Sequence, residues 1–125
     1  MELNEISGQV VDAAIKVHSA LGPGLLESAY EACLFYELGK RGLSVERQKI
    51  QPIVYEGVTI DVGYRMDLFV EGVVVVELKA VERLAPIHEA QLLSYLRLSG
   101  SKLGLLLNFN VTRMADGIKR MVNGL

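Results

Sequence analysis

Cysteine is almost missing from this chain, and so is an excess of charge of either sign. A single cysteine, Cys33, allows no internal disulfide. The two histidines, His18 and His88, have no His or Cys partner at metal-ligand spacing, which argues against zinc. Lys and Arg number 13 against 15 Asp and Glu, for a net charge of -2. That balance argues against a strong non-specific nucleic-acid binder while leaving room for a local basic rim. The small concentrations at Lys40-Arg41, Arg47 to Lys49 and Lys119-Arg120 read as solvated faces. No apolar run is long enough to span a bilayer, and Met1-Glu2-Leu3-Asn4-Glu5 is acidic rather than signal-like. No membrane partner and a cytoplasmic location are therefore expected. A phosphate-cradling glycine loop is lacking too, because Gly22-Pro23-Gly24 has neither a following Lys nor a preceding strand. Ser19, Ser28 and Ser94 have no triad companions in a nucleophile elbow.

What is present is apolar residue. Hydrophobic side chains make up 50% of 125 residues, and mean hydropathy is +0.29. A sheet covered on both faces produces such a composition. The length fits a single domain over residues 1–125, with no repeat or linker, and the apolar excess hints at a homodimer. Leu3, Ile6, Val10, Ala13, Ala14, Val17 and Leu21 recur at helical spacing, with Gly22-Pro23-Gly24 as the stop. A second helix is expected from about 25 to 40, striped by Leu26, Ala29, Tyr30, Cys33, Leu34 and Leu38; Cys33 reads there as a small buried hydrophobe. Extended pieces follow at about 43–49, 51–56, 58–70 and 73–79. Then come a helix from Pro86 to Ser99, a strand over 103–109 and a closing helix from Arg113 to Asn123. The order α-α-β-β-β-β-α-β-α indicates an α/β layer fold with a mixed sheet flanked by helices.

Chemistry concentrates where two apolar strands carry charge. Val73-Val74-Val75-Val76 runs into Glu77-Leu78-Lys79, so period-2 alternation puts Glu77 and Lys79 on one face. Asp67 interrupts the strand Tyr64 to Val70 ten residues earlier. A two-residue turn at Glu71-Gly72 would put Asp67 on the face away from Glu77. A three-residue turn, Val70-Glu71-Gly72 with Gly72 left-handed, would pair Phe69 with Val73 and return Asp67 to the face of Glu77 as its diagonal neighbour. A shared ion requires the second arrangement. Without a cation, two carboxylates so close repel, and one takes up a proton. Mg²⁺ prefers oxygen ligands and keeps several waters, so it suits the pair, with Lys79 free to hold a phosphate.

Three segments resemble one family. Gly24-Leu25-Leu26-Glu27-Ser28-Ala29-Tyr30 is similar to the motif of the GxxExxY proteins. Asp67 with Glu77-Leu78-Lys79 resembles the core of the PD-(D/E)XK nuclease superfamily, to which those proteins belong, with Met66 in place of the motif's Pro. Gln91-Leu92-Leu93-Ser94-Tyr95 resembles the Q-x-x-x-Y element of one of its branches. The resemblance implies a restriction-endonuclease-like αβββαβ core with an extra N-terminal helix. It also implies hydrolysis of nucleic-acid phosphodiesters with Mg²⁺ or Mn²⁺. Asp67, Glu77, Glu27 and the Leu78 carbonyl would be the metal-binding set, and Lys79 the catalytic lysine. Nucleic acid is the implied partner, DNA ahead of RNA. The superfamily also contains non-catalytic relatives, so a binding or assembly module with little activity is the rival expectation. Among supporting residues, Glu27 and Tyr30 share a helix face, and so do Gln91 and Tyr95. The helix dipole alone would also favour Glu27, and the Gln–Tyr stripe also fits the edge of an amphipathic core.

Overall fold

The computed structural model describes residues 1–125. Helix α1 (Leu3–Leu21) and helix α2 (Glu27–Lys40) precede strands β1 (Val45–Ile50), β2 (Ile53–Tyr55), β3 (Val58–Ile60), β4 (Arg65–Val70) and β5 (Val74–Lys79). Helix α3 (Pro86–Ser99), strand β6 (Leu103–Asn108), a 3₁₀ turn (Met114–Gly117) and strand β7 (Ile118–Val122) complete the chain. Five strands form one mixed sheet in the order β1-β4-β5-β6-β7, parallel only between β5 and β6; β2 and β3 form a separate two-stranded hairpin. The expected α/β architecture, with helices on a mixed sheet and an added N-terminal helix, is the one observed.

Burial explains the valine run. Val74 to Leu78 are all buried, because the sheet is covered on both sides. Val10, Ala14 and Val17 of α1 and Tyr30, Leu34 and Leu38 of α2 meet Leu68, Val70, Val76, Leu78, Leu105 and Leu107 on one face. Leu92, Tyr95 and Leu96 of α3 meet Phe69, Val75 and Leu106 on the other. Each fully buried leucine or valine stabilises the fold by about 1.5–3 kcal/mol relative to exposure. The two faces therefore hold the central strands, and the charged residues at their ends, rigidly in place.

Four expectations need correction. No helix spans Arg113 to Asn123: after the 3₁₀ turn the chain extends and pairs β7 with β6, from Leu107↔Ile118 to Leu103↔Val122. Strand β6 is buried along its whole length, and an unpaired edge there would strand its backbone polar groups. Tight packing forces the entry, since a Cβ on Gly117 would collide with the Asn108 carbonyl. The expected strand over 58–70 is two strands, broken at Asp61-Val62-Gly63, where Gly63 has φ 91° and its N–H donates to the Asp61 carboxylate. Cys33 is exposed. The buried stripe of α2 is Tyr30, Glu31, Leu34, Glu37 and Leu38, rotated away from Cys33 because Arg47 and Arg41 pair with the two glutamates. Leu26 is exposed as well. Finally, the β4–β5 turn comprises Glu71, Gly72 and Val73, pairing Val70 with Val74 and Phe69 with Val75. Glu71 and Gly72 both have positive φ (54° and 67°), and the Glu71 carboxylate is anchored by the Ser44 N–H at 2.6 Å.

Candidate active site

The revised turn brings Asp67 level with Glu77. Pairing of β4 with β5 stops at Leu68↔Val76, and its continuation would set Asp67 directly opposite Glu77. There the two carboxylates replace backbone partners. The Asp67 N–H donates to Glu77 Oε1 at 3.2 Å, and the Leu78 N–H donates to Asp67 Oδ2 at 2.8 Å. The sheet is thus forked at this point, and each prong's freed donor is satisfied by the other prong's acid. Beyond the fork β5 stays paired with β6 as far as Lys79↔Asn108. The Asn108 side chain then ties down the exit loop, accepting from the Val81 N–H at 3.1 Å and donating to the Val81 carbonyl at 2.9 Å.

Charge is confined in this fork. Glu77 is 6% exposed. Its pKa is pushed from 4.5 to about 9, first by burial and then by the adjacent Asp67, with Lys79 pulling the other way. At neutral pH the pair therefore holds a proton when no cation is present. Lys79 is half-buried and enters no ion pair or side-chain hydrogen bond. Glu77-Leu78-Lys79 is thus not a self-paired strand end. Glu27 is the first residue of α2 and stands exposed at the mouth. Its carboxyl is raised by partial burial and by Asp67 and Glu31, against the pull of Lys79. No three His, Cys, Asp or Glu side chains gather closely enough to hold an ion among them. The close carboxylates are Asp67 and Glu77, with Glu27 near them in charge.

The supporting residues separate into two kinds. Tyr95 is buried under the fork; burial and the negative charge of Glu77 raise its phenol, and its hydroxyl accepts from the Gln91 amide at 3.2 Å. Gln91 and Tyr95 also line an apolar groove of about 660 Å³ shared with Ile53, Tyr64, Ile87 and Leu98. Tyr30 does not face the fork. It is fully buried, stacks on Phe109 at 4.6 Å, donates to the Gly22 carbonyl at 2.5 Å and accepts from the Leu25 N–H at 3.1 Å. Its role is to fix the loop that delivers Glu27. His18 is satisfied by the Val111 carbonyl at 2.8 Å, and His88 Nδ1 accepts from the Ala85 N–H at the start of α3.

Glu31 and Gln48 were not anticipated as members of this neighbourhood. Glu31 is buried and takes Arg47 Nε at 2.7 Å and Gln48 Nε2 at 2.6 Å, and Gln48 Nε2 also reaches Asp67 Oδ1 at 3.2 Å. Glu27, Glu31, Gln48 and Asp67 line one open cavity of about 480 Å³. The signal in the sequence was a carboxylate on the buried stripe of α2, between Tyr30 and Leu34, which demands a partner.

The fold is a helix-flanked mixed sheet, forked around two carboxylates with an unpaired lysine two residues on. The sequence profile of the PD-(D/E)XK nuclease superfamily matches residues 4–121, and the chain belongs to that superfamily. No curated protein and no solved structure is significantly similar to it.

Proposed function

We propose that this chain is a divalent-metal-dependent nuclease of the GxxExxY branch, acting as one domain on nucleic-acid phosphodiesters. The observation that carries the reading is the fork: the Asp67 and Glu77 carboxylates each accept a backbone N–H from the opposite prong, beside a lysine without a partner. The donor set fits Mg²⁺ or Mn²⁺, which bind through one or two carboxylates and retain water, and contains no soft ligand. Asp67, Glu77, the Leu78 carbonyl and Glu27 are the groups that would hold the ion. Bound there, the ion would polarise a phosphoryl oxygen and supply hydroxide.

The remaining chemistry belongs to the chain's own side chains. Lys79 binds a non-bridging phosphate oxygen and stabilises the charge that develops on it. Glu27, with its raised pKa, accepts a proton from the attacking water at the mouth. Tyr95 and Gln91 hold each other on the floor of the site and shape its edge. DNA is the expected polymer. An exposed free thiol at Cys33 suits a reducing cytoplasm.

One observation favours a second reading. The β2–β3 hairpin exposes Val54, Tyr55, Val58 and Ile60 to solvent. Such a surface suits assembly, as a homodimer or on a partner, with the fork used for binding rather than turnover. Incubation with plasmid, single-stranded DNA and RNA, with and without chelator, separates the readings. The first expects metal-dependent cleavage of at least one substrate, and the second expects none.

A further inference from the structure

We propose that Gln48 is a positioning residue that aims Asp67 at the cation, an inference that rests on the metal-dependent reading above. Gln48 breaks two local rules at once. It lies within β1 yet has φ 53°, a left-handed conformation that a residue with a Cβ adopts at a cost of about 1–3 kcal/mol. It is also skipped by the ladder, which steps from Arg47↔Leu68 to Lys49↔Met66. Packing does not explain this, because the residue is exposed.

The two carboxylates do explain it. Gln48 Nε2 has two N–H groups and two acceptors, Glu31 Oε1 at 2.6 Å and Asp67 Oδ1 at 3.2 Å. Since both acceptors are carboxylate oxygens, only the amide nitrogen can face them. Glu31 is itself held: its other oxygen takes Arg47 Nε at 2.7 Å, and the Arg47 guanidinium lies 5.7 Å from the Phe35 ring centroid. A buried, fully committed Glu31 on α2 thus serves as the post, and Gln48 as the strut to β4.

The strut completes the orientation of Asp67. One Asp67 oxygen is held by the Leu78 N–H of β5, the other by Gln48 of β1. Each oxygen retains a lone pair, so a carboxylate gripped from both neighbouring strands can still accept a cation, in a fixed direction. Outer contacts of this kind typically change metal affinity by 10–100-fold.

The test is Mn²⁺ affinity by calorimetry, with thermal unfolding alongside, for the full chain and the variants Gln48→Asn, Gln48→Leu and Asp67→Asn. Asn tolerates the left-handed backbone and keeps the amide, but it is one methylene too short to bridge both acids. Leu keeps bulk without donors. The proposal expects both Gln48 variants to fold and to bind Mn²⁺ at least about tenfold more weakly than wild type. If Asp67→Asn abolishes binding while both Gln48 variants bind within twofold of wild type, the positioning role is overturned and the metal site stands. If wild type does not bind Mn²⁺, or Asp67→Asn binds unchanged, the metal site fails and the role of Gln48 falls with it.

Discussion

Replacing Glu77 by Gln should make the metal-free protein more stable, and the gain should depend on pH. In the folded chain Glu77 ionises near pH 9, against 4.5 ordinarily. A raised folded pKa contributes stability that is fully present below about pH 4.5 and lost as pH rises through 9. Between those limits the unfolded chain sheds the proton and the folded chain keeps it. The loss accrues at about 1.4 kcal/mol per pH unit, or about 3 kcal/mol by pH 7. Gln has the same shape, keeps an oxygen for the Asp67 N–H, offers Asp67 an amide donor and does not titrate. For a chain of this size the relief corresponds to roughly 10 °C in Tm at pH 7. The assay is thermal unfolding of both proteins in chelator from pH 4.5 to pH 9. The curves should converge at the acid end and separate steadily above it. A difference that does not vary with pH, or a lower Tm for Glu77→Gln at pH 7, would refute the account of the buried pair.

Two further outcomes follow from other contacts. Lys79→Ala should retain the fold and bind Mg²⁺ at least as tightly as wild type, because a competing positive charge is gone, while turnover falls about 10²–10³-fold; cleavage at the wild-type rate would remove Lys79 from the chemistry. Tyr30→Phe should cost about 0.5–1.5 kcal/mol in denaturant unfolding, since the Gly22 carbonyl and the Leu25 N–H lose their shared hydroxyl. It should leave Mg²⁺ affinity unchanged, so weakened ion binding at intact stability would place Tyr30 in the site after all.

Period and parity made the central strands readable, and tertiary pairing hid the rest. The valine run announced a doubly covered strand because β5 is buried on both faces. The nearness of Asp67 and Glu77 was legible in the strand pattern, but the turn differed in register by two residues and simple alternation breaks at Asp67, where Met66 packs with Phe69 while Leu68 packs with Val70 on the other face. The C-terminal segment was misjudged because Met114 to Val122 carries apolar residues at spacings compatible with a helix. The deciding factor was the open edge of β6, which no local pattern reveals. Cys33 was assigned to the wrong side of α2 because the buried stripe is completed by Glu31 and Glu37, charged residues paired across to Arg47 and Arg41, and Leu26 precedes the helix altogether. Gln48 left no trace in the pattern, since its importance rests on a left-handed backbone and on two acids from distant elements.

The claim that the fork exchanges a proton for a metal ion is tested most directly by calorimetric titration of Mg²⁺ or Mn²⁺ at pH 7, in buffers of different ionisation enthalpy. With Glu77 ionising near pH 9 in the metal-free chain, binding should release about one proton per ion. Affinity should rise with pH, and Asp67→Asn should bind no ion at this site. Absence of binding by the wild-type protein, or binding that releases no proton, would contradict the account.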